Sequence, residues 1–233
     1  MKKLITVLAA LTVVVSLNAQ SLNEIVKKFS QANKQDKISS LSTIKISARM
    51  SMMGMDLPME MWMKKPDKIK TVTSLSGQQM ISAFDGTKGY TINPMTGSST
   101  PVEMSAEEIK QTQNNNMFKN ILDNYLKEGK LNLVGEENVN NSPAFKIKAE
   151  LDGGISSVLF IDKVSYLMTK NISTINQNGV TMVVESYPTD YKEIGGIILP
   201  MKTITSAQGM EMTLYFDKVE VNIPMDDSIF KLK

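Results

Sequence analysis

The chain has 233 residues, of which 42% are apolar and 21% charged, with a net charge of +2. That balance argues against disorder and gives no reason to expect a nucleic-acid partner. With no Cys and no His, disulfides, thiol nucleophiles, His-ligated metal sites and a Ser-His-Asp triad are excluded.

Met1-Lys2-Lys3, the apolar run from Leu4 to Leu17, and Asn18-Ala19-Gln20 have the layout of a secretory signal peptide. The run is too short for the roughly 20 residues of a bilayer span, so residues 1–19 are expected to be cleaved and 20–233 to form one exported domain. A lipoprotein would need a Cys at the cleavage point, and the sequence has none. The expected location is the periplasm.

Ser21 and Glu24 form a capping-box pattern ahead of Leu22, Ile25, Val26, Phe29 and Ala32. These lie on one helical stripe, so a helix is expected over about 22–35. From Ser42 the period becomes two. Ile44, Ile46, Ala48, Met50 and Met52 alternate with polar residues, and Leu57, Met59, Met61 and Met63 resume the alternation after Gly54; this is a hairpin. Further strands follow to Asn93-Pro94. A helical insertion at about 106–128 comes next, opened by Ser105 and Glu108 and interrupted by Asn114-Asn115-Asn116. Met117, Phe118, Ile121, Leu122, Tyr125 and Leu126 give its second helix a broad apolar face. Everything after Lys130 reads as strand, with turns at Asp152-Gly153-Gly154, Asn178-Gly179, Gly195-Gly196 and Ala207-Gln208-Gly209.

Seven of the fourteen residues from Met50 to Met63 are Met. An ordinary core is one reading. The other is a pliable surface that accepts apolar ligands of varied shape, since thioether side chains are flexible and specify shape poorly. Cu(I) held by Met-x-Met pairs is a third, disfavoured because no His or Cys can share the coordination. Periodicity alone does not separate a filled core from a ligand cavity. Candidate catalytic groups are weak. Glu107-Glu108, Glu136-Glu137 and Asp226-Asp227 are adjacent pairs whose members splay apart, while Asp85 and Asp162 sit at turns. No phosphate loop is present, and neither enzymatic activity, a cofactor nor a metal is expected.

At Met61-Trp62-Met63-Lys64-Lys65-Pro66-Asp67 the chain resembles the LolA-like carriers of outer-membrane lipoproteins, in which a strand ends in Trp-x-Lys-Arg-Pro. The likeness continues through Met80 to Tyr90 with Asp85-Gly86, then Asn93-Pro94, Leu159-Phe160-Ile161-Asp162, and Tyr191 to Pro200. The resemblance implies an α+β fold: a strongly curved antiparallel sheet of about eleven strands, an incomplete barrel with an α-helical lid on its concave face. The implied function is a monomeric, soluble carrier sheltering the acyl chains of lipoproteins, or of a similar lipid. The carriers take cargo from an inner-membrane lipoprotein-releasing transporter and deliver it to an outer-membrane acceptor. A non-catalytic envelope sensor or scaffold is the alternative use of the same fold.

The expected ligand groove is formed by Met50, Met52, Met59, Met61 and Met63, faced by Phe118, Ile121, Leu122 and Tyr125 from the lid. Trp62 should point the opposite way. The family's lid latch is an Arg just before the Pro. Here that position is Lys65, which keeps the charge and loses the planar fork.

Overall fold

The computed structural model describes residues 20–114, 116–151, 155–177 and 180–232, with the side chains of Asn114, Ile121, Gln177 and Val180 excepted. The expected leader at 1–19 and the expected turns at 152–154 and 178–179 lie outside the described residues. Helix α1 (Leu22–Ala32) precedes strands β1 (Thr43–Met52), β2 (Met55–Lys64), β3 (Lys68–Leu75), β4 (Gln78–Phe84), β5 (Gly89–Asn93) and β6 (Ser98–Glu103). Helices α2 (Ala106–Asn114) and α3 (Ile121–Lys127) follow. The rest is β7 (Leu131–Val139), β8 (Ser142–Leu151), β9 (Ile155–Asp162), β10 (Met168–Gln177), β11 (Val180–Ile194), β12 (Ile197–Ala207) and β13 (Met210–Val221).

All thirteen strands form one antiparallel sheet in the order β6-β5-β4-β3-β2-β1-β13-β12-β11-β10-β9-β8-β7. It stays open between β6 and β7, and a sheet of this width curls because strand twist accumulates. The result is the expected half-barrel, with two more strands than the expected eleven. β6 was not anticipated because Ser98-Ser99-Thr100-Pro101 carries no apolar alternation. Its place at the edge of the sheet explains how Pro101 is tolerated in a strand. The pairing of β1 with β13 joins the two halves of the chain. Its register slips between Ser47 and Ala48, where Asp217 is the extra residue of β13, a bulge that sharpens local twist.

The inward face carries two apolar clusters. In the first, Ile25, Val26 and Phe29 of α1 and Leu122 of α3 pack on Phe145, Ile147 and Ala149 of β8 and on Leu159 and Ile161 of β9. In the second, Ile44, Ile46 and Ala48 of β1 pack with Met63, Ile69, Ile197 and Leu199. The polar partners in the alternation, Lys45, Ser47 and Arg49, face outward.

Both capping patterns form, one of them by half. Ser105 and Glu108 bond reciprocally: the Ser105 backbone N–H donates to Glu108 at 2.7 Å and the Glu108 N–H to Ser105 Oγ at 3.2 Å. The Ser105 N–H and hydroxyl hold the Glu108 carboxyl below its ordinary range. At α1, Ser21 accepts from the Glu24 N–H at 3.3 Å, but the Glu24 carboxylate accepts from Gln20 and Lys28 instead.

The C-terminal segment crosses the ends of β2 and β3. Asp227 lies 2.7 Å from Lys64 and 2.6 Å from Lys68, and Lys64 also donates to the Met225 carbonyl at 2.7 Å. Hydrogen bonds from the two ammonium groups hold the Asp227 carboxyl down at about 2, against an ordinary 3.8. A depressed carboxylate lends stability that is complete above its unfolded value and disappears as pH falls through its folded one. Asp227→Asn should therefore lower the melting temperature at pH 5–7, and the two proteins should converge near pH 2. Parallel thermal melts across that range test it; a constant difference at every pH would contradict it.

Candidate functional site

The inward row of β2 is built by strand parity. Met59 pairs with Ala48, Met61 with Ile46 and Met63 with Ile44, so all three thioethers share the face of the apolar side of β1. Above this row is a cavity of about 400 Å³. Met59, Met61 and Met63 form one wall, with Ile69 and Thr71 of β3 and Ser82 of β4 beside them. Leu214 and Phe216 of β13 form the other wall, and Thr112 of α2 and Met117 close it from above. Seven of these ten side chains are apolar, three carry a hydroxyl and none carries a charge. A volume near 400 Å³ is within the range of small-ligand pockets.

The covering segment is held at three points. Gly89 lets α2 approach: a Cβ there would collide with the Met104 thioether and crowd Ile109 of α2, so a side chain at this position would force both to shift. Asn116 is 2% exposed; its Nδ2 donates to the Pro66 carbonyl at 3.2 Å and its Oδ1 accepts from the Phe118 N–H at 2.9 Å. A buried amide satisfied on both sides fixes the turn to the end of β2. Lys65 supplies the third point. Its Nζ donates to the carbonyls of Ile38 at 2.7 Å and Ser39 at 2.8 Å, in the 3-10 turn that follows α1, and lies 5.3 Å from the centre of the Phe118 ring. One ammonium thus joins β2, the segment after α1 and the turn over the cavity.

The structure divides the expected groove residues. Met59, Met61 and Met63 line the cavity. Met50 and Met52 share their face, opposite Leu57 and Met55, but lie farther along toward the β1–β2 turn and are not among its described lining. Phe118 packs against the second apolar cluster. Leu122 and Tyr125 do not face the methionines: they pack with α1 on β7–β9, in the first cluster. The Ile121 side chain lies outside the described residues. The physical reason is a break in the expected helix. Asn120 caps α3 by accepting from the Asp123 N–H at 3.3 Å, so 117–119 is a turn and the apolar periodicity spans two separate pieces. Trp62 points outward, as its parity requires, between Lys45 and Lys70, each 5.7 Å from its ring. Thr112, Asn116, Met117, Leu214 and Phe216 were not anticipated as site residues.

Perturbed titratable groups lie elsewhere and have structural partners. Burial would raise the Asp162 carboxyl, but bonds from Ser142, Ser165 and Val164 outweigh it and hold it low. Burial pushes the Tyr191 phenol up while its OH donates to the Met168 carbonyl at 2.8 Å. Lys170, Glu185 and Tyr187 form an outward-facing network. None adjoins the cavity, and among the described residues no group of three or more Asp or Glu side chains could hold a metal ion.

No protein-family model matches the chain, and no curated protein matches it. Solved structures do. A LolA superfamily protein from Nitrosomonas europaea superposes with a TM-score of 0.59 at 13% identity, over 91% of this chain and 98% of that one. A DUF1329 family protein from Desulfovibrio piger gives 0.62 at 12% identity, over 89% and 97%. An outer membrane lipoprotein-sorting protein domain from Vibrio parahaemolyticus gives 0.56 at 11%, over 88% and 97%. In each case the likeness spans about nine-tenths of this chain and nearly all of the other. The resemblance read from the sequence therefore holds at the level of architecture: this chain shares its fold with these solved structures, a LolA superfamily protein among them.

Proposed function

We propose that the protein is an exported, periplasmic carrier that shelters the acyl chains of lipoproteins, or of a similar lipid, for transfer to the outer membrane. The observation that carries this reading is the uncharged, methionine-walled cavity under the α2–α3 segment. Burying each methylene is worth about 0.8 kcal/mol, so a dozen methylenes give roughly 10 kcal/mol gross. Association and ordering costs offset a good part of that. The remainder suits reversible carriage, and flexible thioethers adapt to chains of different shape. The chain acts by binding and not by catalysis, as a monomer, between an inner-membrane releasing transporter and an outer-membrane acceptor. Among the described residues, no helix is long and apolar enough to cross a membrane. The direct test is release of a lipoprotein from inner-membrane vesicles by the purified protein; cavity occupancy without release would point to a sensor or scaffold.

Lys65 acts as the latch of this site. Hydrogen bonds to a charged donor are worth about 1.5–3 kcal/mol each, less where solvent reaches them. Lys65→Met removes both bonds to the 3-10 turn and leaves an apolar stem in place. Amide exchange at 36–41 should speed up by about 10- to 100-fold, with the sheet unaffected, and Lys65→Arg should restore protection. Unchanged exchange in Lys65→Met would remove the latch.

A further inference from the structure

Antiparallel pairing sends alternate turns to opposite ends of the sheet, and along the stretch from β6 to β12 the described turns at the two ends differ in charge. At one end, in spatial order, lie the turns at 93–98, 75–78, 52–55 and 207–210. They contain no Asp, Glu, Lys or Arg. At the other end the turns carry Lys64, Lys65, Asp67 and Lys68, then Asp85 and Lys88, then Asp162 and Lys163.

Methionines are exposed on these uncharged turns. Met53 is 78% exposed, Met95 60%, Met210 54% and Met55 49%. Met52 pairs with Met55 on one side and Met212 on the other, so two of these turns stand side by side. The first charges lie behind them: Glu211, and Asp56 at 3.7 Å from Arg49. Neighbouring tips stand roughly 10 Å apart, two strand spacings, and form a row along the rim.

We propose that this rim is a docking surface for a lipid bilayer, touching its uncharged interface. Three observations select that occupant. Separate, flexible thioether tips adapt to whatever they meet, and a fluid interface places no demand on their shape. A rim without Lys or Arg gains nothing from anionic lipid, so the contact is apolar and not electrostatic. Met53, Met55 and Met210 also sit on turns whose strands continue directly into the wall of the methionine cavity, through Met59 of β2 and Leu214 of β13. A bilayer at this rim thus meets the end of the sheet from which the cavity wall runs. The contact itself does not require the cavity to hold a ligand.

The test is flotation of the purified protein with phosphatidylcholine vesicles at low and at 0.5 M salt. The parent should partition onto them equally at both salts, with no gain from added anionic lipid. The double variant Met53→Glu with Met210→Glu should lose at least tenfold in partitioning, and Val164→Glu, an 82% exposed residue at the opposite end, should lose nothing. Far-UV circular dichroism of each variant should match the parent, since all three side chains project into solvent. Binding of a fluorescent fatty acid to the double variant, measured without vesicles, should equal that of the parent; this readout separates the rim from the carrier reading. The proposal is overturned if the parent does not bind these vesicles, if it binds only anionic ones and is released by salt, if the double variant binds as well as the parent, or if the double variant instead changes the oligomeric state, which would make the rim a contact between copies.

Discussion

Met61→Glu should abolish acyl binding, with at least a hundredfold loss of affinity for a fluorescent fatty acid, while the sheet stays folded. Met61 is central in the cavity wall, between Met59 and Met63 on one strand and beside Thr71 of β3. No charged side chain among the described lining could pair with a carboxylate there. A charge placed where an acyl chain must lie either keeps water in the cavity or is buried unpaired, and both oppose the ligand. The same charge in an empty cavity can stay hydrated, so the fold is spared. Calorimetry beside the binding titration separates the two effects. A variant that unfolds, from a parent that never bound the probe, would make the methionine face ordinary core.

Phe29→Ala should destabilise the protein by about 3–5 kcal/mol, the cost of truncating a buried aromatic side chain. Phe29 is 6% exposed and belongs to the cluster that seats α1 and α3 on β8 and β9. That half of the inward face is filled, and the loss leaves a hole that the sheet cannot collapse to fill. Met61→Leu, in the other half, should cost less than about 1.5 kcal/mol, since a volume-conserving change beside open space meets little resistance. Urea unfolding of both variants gives the comparison. Equal costs would mean that the two halves of the face are packed alike.

The sequence carries the strands well, because period-two alternation and Gly-containing turns are local signals. The Gly54 hairpin and the orientation of Trp62 follow from them directly. Two things were not legible. The far wall of the cavity, Leu214 and Phe216, comes from the pairing of β1 with β13, and no local pattern announces which strands meet across 160 residues of chain. The lid was misread for a different reason: an apolar i, i+4 series runs from Met117 to Leu126, yet the Asn120 cap starts a new helix inside it. The consequence is concrete. Met117, from the turn, closes the cavity, while Leu122 and Tyr125, from the helix, pack against α1. Asn116 was read as part of a helix break, and its buried bonds to Pro66 and Phe118 are what turn that break into a cover.

The most direct measurement is native mass spectrometry of the protein purified from an envelope fraction, run beside Met61→Glu prepared in the same way. The parent should carry a one-to-one adduct with the mass of an acylated amphiphile, displaced by added fatty acid, and Met61→Glu should carry none. Identical adducts on both proteins, or a parent that carries none and takes up no acyl probe, would contradict the claim that the methionine-walled cavity is a site for acyl chains.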